Sequence, residues 1–146
     1  MTDGIMKSQE QDITILNAKK TWKDIKHFSW NEFDSPDIKD SGLLMNIEFV
    51  KLLDELRQKI GLPLIVSNGG GYRTQAYNLT VNKSAKYSDH MKGFAVDFLV
   101  EDSDSRYKIL KAAFELVFVG YGVYDRHVHL DMDFESNKRC WVGKSS

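Results

Sequence analysis

The apolar positions of this chain fall into two periodicities, and the switches between them set out its elements. From about Asn46 to Ile60, Ile47, Val50, Leu53, Leu56 and Ile60 recur at steps of three and four. This predicts an amphipathic helix with Gly61 as its stop. Residues 63–67 read as a short buried strand and residues 94–100 as a second, almost wholly apolar one. Helical spacing returns over residues 104–118, with Tyr107, Leu110, Ala113, Phe114 and Val117 inward. Asp102, Ser103, Asp104 and Ser105 offer N-caps for that helix, and Gly120 and Gly122 break it. Val123–Tyr124 and residues 128–132 follow as strands around a turn near Asp125 and Arg126. Of the remainder, residues 68–74 form a glycine-rich loop and residues 75–87 a loop or short helix. Residues 28–37 form an irregular, partly buried arm with a Ser-Pro turn. The expected fold is a single α+β domain over residues 28–146: a small, mainly antiparallel sheet with helices on one face and a cleft on the other. Residues 1–27 are expected to be an N-terminal polar arm, frayed over its first dozen positions.

Composition narrows the function classes. The 146 residues carry a net charge of -1, which argues against nucleic-acid binding by bulk electrostatics. With one cysteine, Cys140, no intrachain disulfide can form, and a metal site would have to use His and carboxylate. No apolar run reaches the ~18 residues that a membrane span needs, so no membrane partner is expected. The opening MTDGIMKSQEQD has no apolar signal core, so cytoplasmic synthesis is expected. A monomer is expected.

The chemistry concentrates in two segments, Ser88 to Asp97 and His127 to Asp131, which hold three of the four histidines. Alternation along a strand puts His127, His129, Asp131 and Asp133 on one face and Val128, Leu130 and Met132 on the other. Asp97 sits in an otherwise apolar strand, where an ionised carboxylate is costly unless paired or bound to metal. Gly93 allows a tight turn that returns His90 to the side of Asp97. His90, Asp97 and His129 thus form a candidate ligand set of two imidazoles and one carboxylate, which with an open fourth position suits catalytic zinc. The plainer reading is a solvated edge strand and an Asp held by a hydroxyl or amide.

These residues also carry a resemblance. Ser88-x-His90-x-x-Gly93-x-Ala95-x-Asp97 resembles the zinc-binding signature of the D-alanyl-D-alanine carboxypeptidase family of peptidoglycan peptidases. Phage endolysins, the vancomycin-resistance dipeptidases and the Hedgehog signalling domain are among its relatives. Gly71-Tyr72-Arg73-Thr74-x-x-Tyr77-Asn78 resembles the loop before that family's zinc strand, and His129-x-Asp131 resembles its C-terminal zinc strand. Phe28-Ser29-x-x-Glu32-Phe33 and Ser35-Pro36-Asp37 resemble the N-terminal arm of the phage-type branch. The resemblance implies a Hedgehog/DD-peptidase-like fold, Zn2+ held by His90, Asp97 and His129, and hydrolysis of a peptide bond in peptidoglycan stem peptides. Arg73 would grip a substrate carboxylate or the developing oxyanion. Ser88 would orient a ligand rather than act as a nucleophile.

Two departures stand out. Several relatives place a Glu or Asp three residues before the last zinc histidine, where this chain has Arg126. Asp131 is then the expected general base, with Asp125 as the alternative and His127 as proton donor or oxyanion stabiliser. Residues 67–72 also hold more residues than the usual direct junction of serine to Gly-Tyr-Arg. The resemblance further implies a phage or prophage product, released through a holin pore or carried in a virion. The competing expectations are a non-catalytic zinc-binding module of the same fold and a metal-free fold with structural histidines.

Overall fold

The computed structural model describes residues 14–81 and 87–145. Fraying of the first dozen residues falls outside the described residues. Residues 14–21 are helical (α1), and Trp22 and Ile25 just beyond them are buried in the central core. Trp22 packs against Trp30 and Phe33, with ring centroids 6.4 and 5.7 Å away, so the core begins upstream of residue 28.

Helix α2 (Ile47–Ile60) has the expected bounds for local reasons. The Asn46 side chain accepts from the Phe49 N–H at its start, and Gly61 closes it in the left-handed region at φ 72°. It buries Phe49, Val50, Leu53 and Leu56. A short helix, α3 (Gln75–Val81), follows the glycine-rich loop. Helix α4 (Ser103–Glu115) starts at Asp102, whose carboxylate accepts from the Ser105 N–H. Its inward face is the expected one only in part: Ala113 is buried and Leu110 packs against the core, but Ile109 and Ala112 are buried too, while Tyr107, Phe114 and Val117 are exposed. The two alanines allow close packing on α2, and Phe114 instead stacks on Tyr121 at 4.4 Å.

The sheet holds β1 (Ala95–Leu99), β2 (Gly120–Val123), β3 (His127–Asp131) and β4 (Arg139–Val142) in the order β1-β3-β2-β4. It is antiparallel except for the parallel pair β2–β4. Two features depart from expectation. Gly120 and Gly122 are strand residues rather than a break, and β4 is a strand that the four-residue run Arg139–Val142 is too short to announce. Residues 64–67 lie along the outer edge of β1 through the Val66–Phe98 bridge, but of the apolar pair Leu64 and Ile65 only Leu64 is buried. Val96, Phe98, Tyr121, Val128 and Leu130 face the core beneath α2 and α4. The opposite sheet face, between the glycine-rich loop, α3 and the C-terminal residues, forms a cleft.

One turn sets the position of His90 against β1. Gly93 has φ 77°, and a Cβ there would meet the Leu44 carbonyl oxygen at 2.6 Å and the Asn46 nitrogen at 2.8 Å. Gly61 has a similar φ of 72° but open space around it. Gly61→Ala should therefore cost about 1–2 kcal/mol, the left-handed penalty alone. Gly93→Ala should cost more, because backbone must also move. Urea denaturation of the two variants tests this, and equal losses would mean that the Leu44–Asn46 contact does not constrain the turn.

Candidate metal centre

The register of the sheet assembles the site row by row. Asp97 of β1 stands opposite His129 of β3, which stands opposite Gly122 of β2, which stands opposite Trp141 of β4. The next row runs Ala95, Asp131, Gly120 and Arg139. Asp97 gives its backbone hydrogen bonds to the other side: its N–H donates to Gly70 O at 2.8 Å, and its carbonyl accepts from the Ser67 N–H at 2.9 Å. Asp97 and His129 are therefore a pair without mutual backbone bonds, the kind whose side chains approach most closely.

His90 reaches the same point from the turn before β1. His90, Asp97 and His129 each bring a ligand atom into a group whose members all lie within 4.8 Å of one another. Asp97 is central. Its Oδ1 is 2.9 Å from His129 Nδ1, and its Oδ2 is 3.5 Å from His90 Nε2 and 3.0 Å from Arg73 Nη2. Each imidazole is aimed by its other nitrogen. His90 Nδ1 lies 2.9 Å from the Gly71 carbonyl oxygen, which can only accept, so the proton sits there and Nε2 presents its lone pair. His129 Nε2 lies 2.8 Å from Asp131 Oδ2, which likewise leaves Nδ1 as the ligand nitrogen.

Burial and charge compete over these groups. Burial pushes the His90 pKa down, so it is a neutral donor at pH 7. Burial also opposes charge on His129, but the carboxylates of Asp131 and Asp97 at its two nitrogens outweigh this and raise its pKa to about 9. Asp97 is desolvated as well, yet His90 and His129 hold its carboxyl well below the ordinary range. Two imidazoles with fixed tautomers and one ionised carboxylate, all at the floor of a cleft, fit a zinc ion. Its binding would displace the Nδ1 proton of His129.

The cleft has a volume of about 830 Å³ and is lined by Arg73, Tyr77, Tyr124, Arg126, His127 and Trp141 among others. Arg73 is anchored by its Nε–H, which donates to Gly69 O at 2.7 Å. His127 Nδ1 contacts Ser145 Oγ at 2.8 Å, its ring stacks on Tyr124 at 4.1 Å, and its Nε2 is 4.0 Å from Asp97 Oδ1. Ser88 accepts from the His90 N–H and caps the turn.

The expected general base, Asp131, is placed behind His129: it is 0% exposed, contacts the His129 nitrogen that faces away from Asp97 and does not line the cleft. The alternative, Asp125, does not line the cleft either, and its carboxylate accepts from the Ser145 N–H at 2.6 Å. Sequence reasoning missed Gly120, Gly122, Arg139 and Trp141. Their roles depend on the parallel pairing of β4, and no motif spacing signals it.

The shifts fix how the metal-free chain responds to pH. The folded His129 pKa lies above its ordinary 6.5, so its stabilisation is complete below 6.5 and is lost as pH rises through about 9. The folded Asp97 pKa lies below 3.8, so its share is complete above 3.8 and is lost as pH falls further. Burial holds His90 and His127 below their ordinary 6.5, so each costs stability as pH falls through 6.5 and the unfolded chain takes up protons. Chemical denaturation of chelated protein should therefore give a maximum around pH 6.5 and a decline as pH rises through about 9. No decline would mean that His129 is not held as an imidazolium.

No curated protein matches the chain. The family model for peptidase M15 matches residues 7–131, a span that takes in the glycine-rich loop, both histidine segments and the whole ligand group. With most of its length matched, and with a buried His-Asp-His group at the floor of its cleft, the chain belongs to the peptidase M15 family of zinc-dependent metallopeptidases.

Proposed function

We propose that this chain hydrolyses a peptide bond in the stem peptides of bacterial peptidoglycan. The observation that carries this reading is the convergence of His90 Nε2, Asp97 and His129 Nδ1 beneath a cleft whose other charged lining residues, Arg73, Arg126 and Lys144, are cationic. Stem peptides carry free carboxylates, and cationic walls favour them. Zinc held by these three residues would supply Lewis-acid polarisation of the scissile carbonyl and an activated water.

The chain's own groups divide the remaining work. Arg73, fixed through Gly69 O, holds its guanidinium beside the ligand group, where it can meet a substrate carboxylate or the developing oxyanion. His127 takes the part of proton acceptor. Burial lowers its pKa, so it is neutral at pH 7, and its contact with Ser145 aims Nε2 into the cleft. It can take a proton on Nε2 and return it to the leaving amine. Among the described residues no helix is long and apolar enough to cross a membrane. A phage or prophage lysin that reaches the wall through a holin pore fits this reading.

The competing reading, a zinc-binding module without catalysis, is favoured by Arg126 at the position where relatives carry a carboxylate and by the burial of Asp131. One set of measurements separates the two. The wild-type chain should bind about one zinc and release peptides from purified peptidoglycan. His90→Ala should lose both. His127→Gln should keep the metal and lower kcat by about 10²–10⁴-fold. Zinc bound with no wall peptide cleaved would decide for the binding module. Co-expression with a holin tests the lysin origin, since a lysin should lyse cells from within.

A further inference from the structure

Asp131 occupies a cradle that its own strand does not provide. A Cβ on Gly120 would collide with both carboxylate oxygens of Asp131, so the absent side chain is what makes room for them. Across that gap Arg139 of β4 reaches Asp131 with two prongs: Nη1 donates to Oδ1 at 3.3 Å and Nη2 to Oδ2 at 2.9 Å. The Asp133 N–H donates to Oδ1 at 3.1 Å, and His129 Nε2 stands 2.8 Å from Oδ2. The guanidinium is itself held, with its carbon 5.0 Å from the Trp141 ring centroid and Nη2 3.9 Å from Asp89. Asp131, buried and ionised, thus has a fixed counterion on one side and a ligand imidazole on the other.

We infer that Arg139 is a positioning residue for the metal centre: acting through Asp131, it fixes the tautomer and orientation in which His129 presents Nδ1. The inference rests on the metal-site reading above. Arg139 lies beyond residue 131, where the family match ends, so this support belongs to the chain's own C-terminal strand. A planar fork suits the task because it clamps both carboxylate oxygens at once and prevents the carboxylate from rotating about its bond. Without it, Asp131 would be a buried charge with weaker partners, free to turn away from His129.

The test is zinc affinity, measured by chelator competition on the full chain, with the melting temperature of the metal-free protein as the check on folding. Arg139→Met and Asp131→Asn should each weaken zinc binding by about 10–100-fold, the usual loss when a group behind a metal ligand is removed. The double variant should be no weaker than Asp131→Asn, because both changes cut one path. Arg139→Lys keeps the charge without the fork and should fall between Arg139→Met and wild type. It carries the test alone if Arg139→Met does not fold, and wild-type affinity in it would then overturn the inference. Arg139→Met affinity within about twofold of wild type, well short of that loss, would also overturn it. So would losses that multiply in the double variant, which would show Arg139 acting by another route. A wild-type chain that binds no zinc would overturn the metal centre itself, a different result from a normal wild type with an indifferent Arg139.

Discussion

The site depends on keeping one carboxylate ionised in the middle of β1, the strand at one edge of the sheet. Asp97 is only 7% exposed, in a strand whose neighbours Val96 and Phe98 belong to the core. Removing that charge from water is costly, and the fold offsets the cost with positive groups from two directions. Arg73 comes from the glycine-rich loop and His129 from the neighbouring strand, while the neutral His90 closes the third side from the turn before β1. Each element that forms the cleft floor therefore answers to the same carboxylate. The group also draws local backbone into place, since Ser67 N–H and Gly70 O bond directly to Asp97 C=O and N–H.

The second constraint is room. Side chains this polar can share one sheet face only if something is left out, and β2 leaves out two side chains. Gly122 lets Trp141 approach His129, with ring centroids 5.2 Å apart, and Gly120 lets Arg139 approach Asp131. A strand with glycines at alternate positions is a poor strand by propensity. Here, pairing on both sides compensates, antiparallel to β3 and parallel to β4. Local preference has given way to the space that the site needs.

These two constraints produce a layered site. Asp97 and the inward nitrogens of His90 and His129 form the layer open to the cleft. Gly71 O, Asp131 and Arg139 form the layer behind, where burial strengthens each charge-assisted bond. His127 belongs to neither layer. It stands on the cleft wall, neutral and backed by Ser145, which is the environment that an acid-base group needs.

The sequence by itself determined the local parts. Asn46 and Gly61 bound α2 through capping chemistry that acts within a few residues. The spacing of His90, Gly93 and Asp97 encodes a turn and strand that fold back together, and the alternation of β3 puts His127 and His129 on the cleft side. These features depend on short-range geometry, so they are legible in the chain. The tertiary structure decided what depends on distant pairing. Asp131 has the same strand parity as His129, which made it look like a group in the cleft. Only the side-by-side placement of β3, β2 and β4 shows its carboxylate turned over Gly120 toward Arg139. The inward face of α4 was decided in the same way, because packing on α2 buried Ile109 and Ala112 beside the expected Ala113 and left the larger Tyr107 and Phe114 outside. Periodicity reports which faces an element has, while only the neighbours that close over it settle which face is covered.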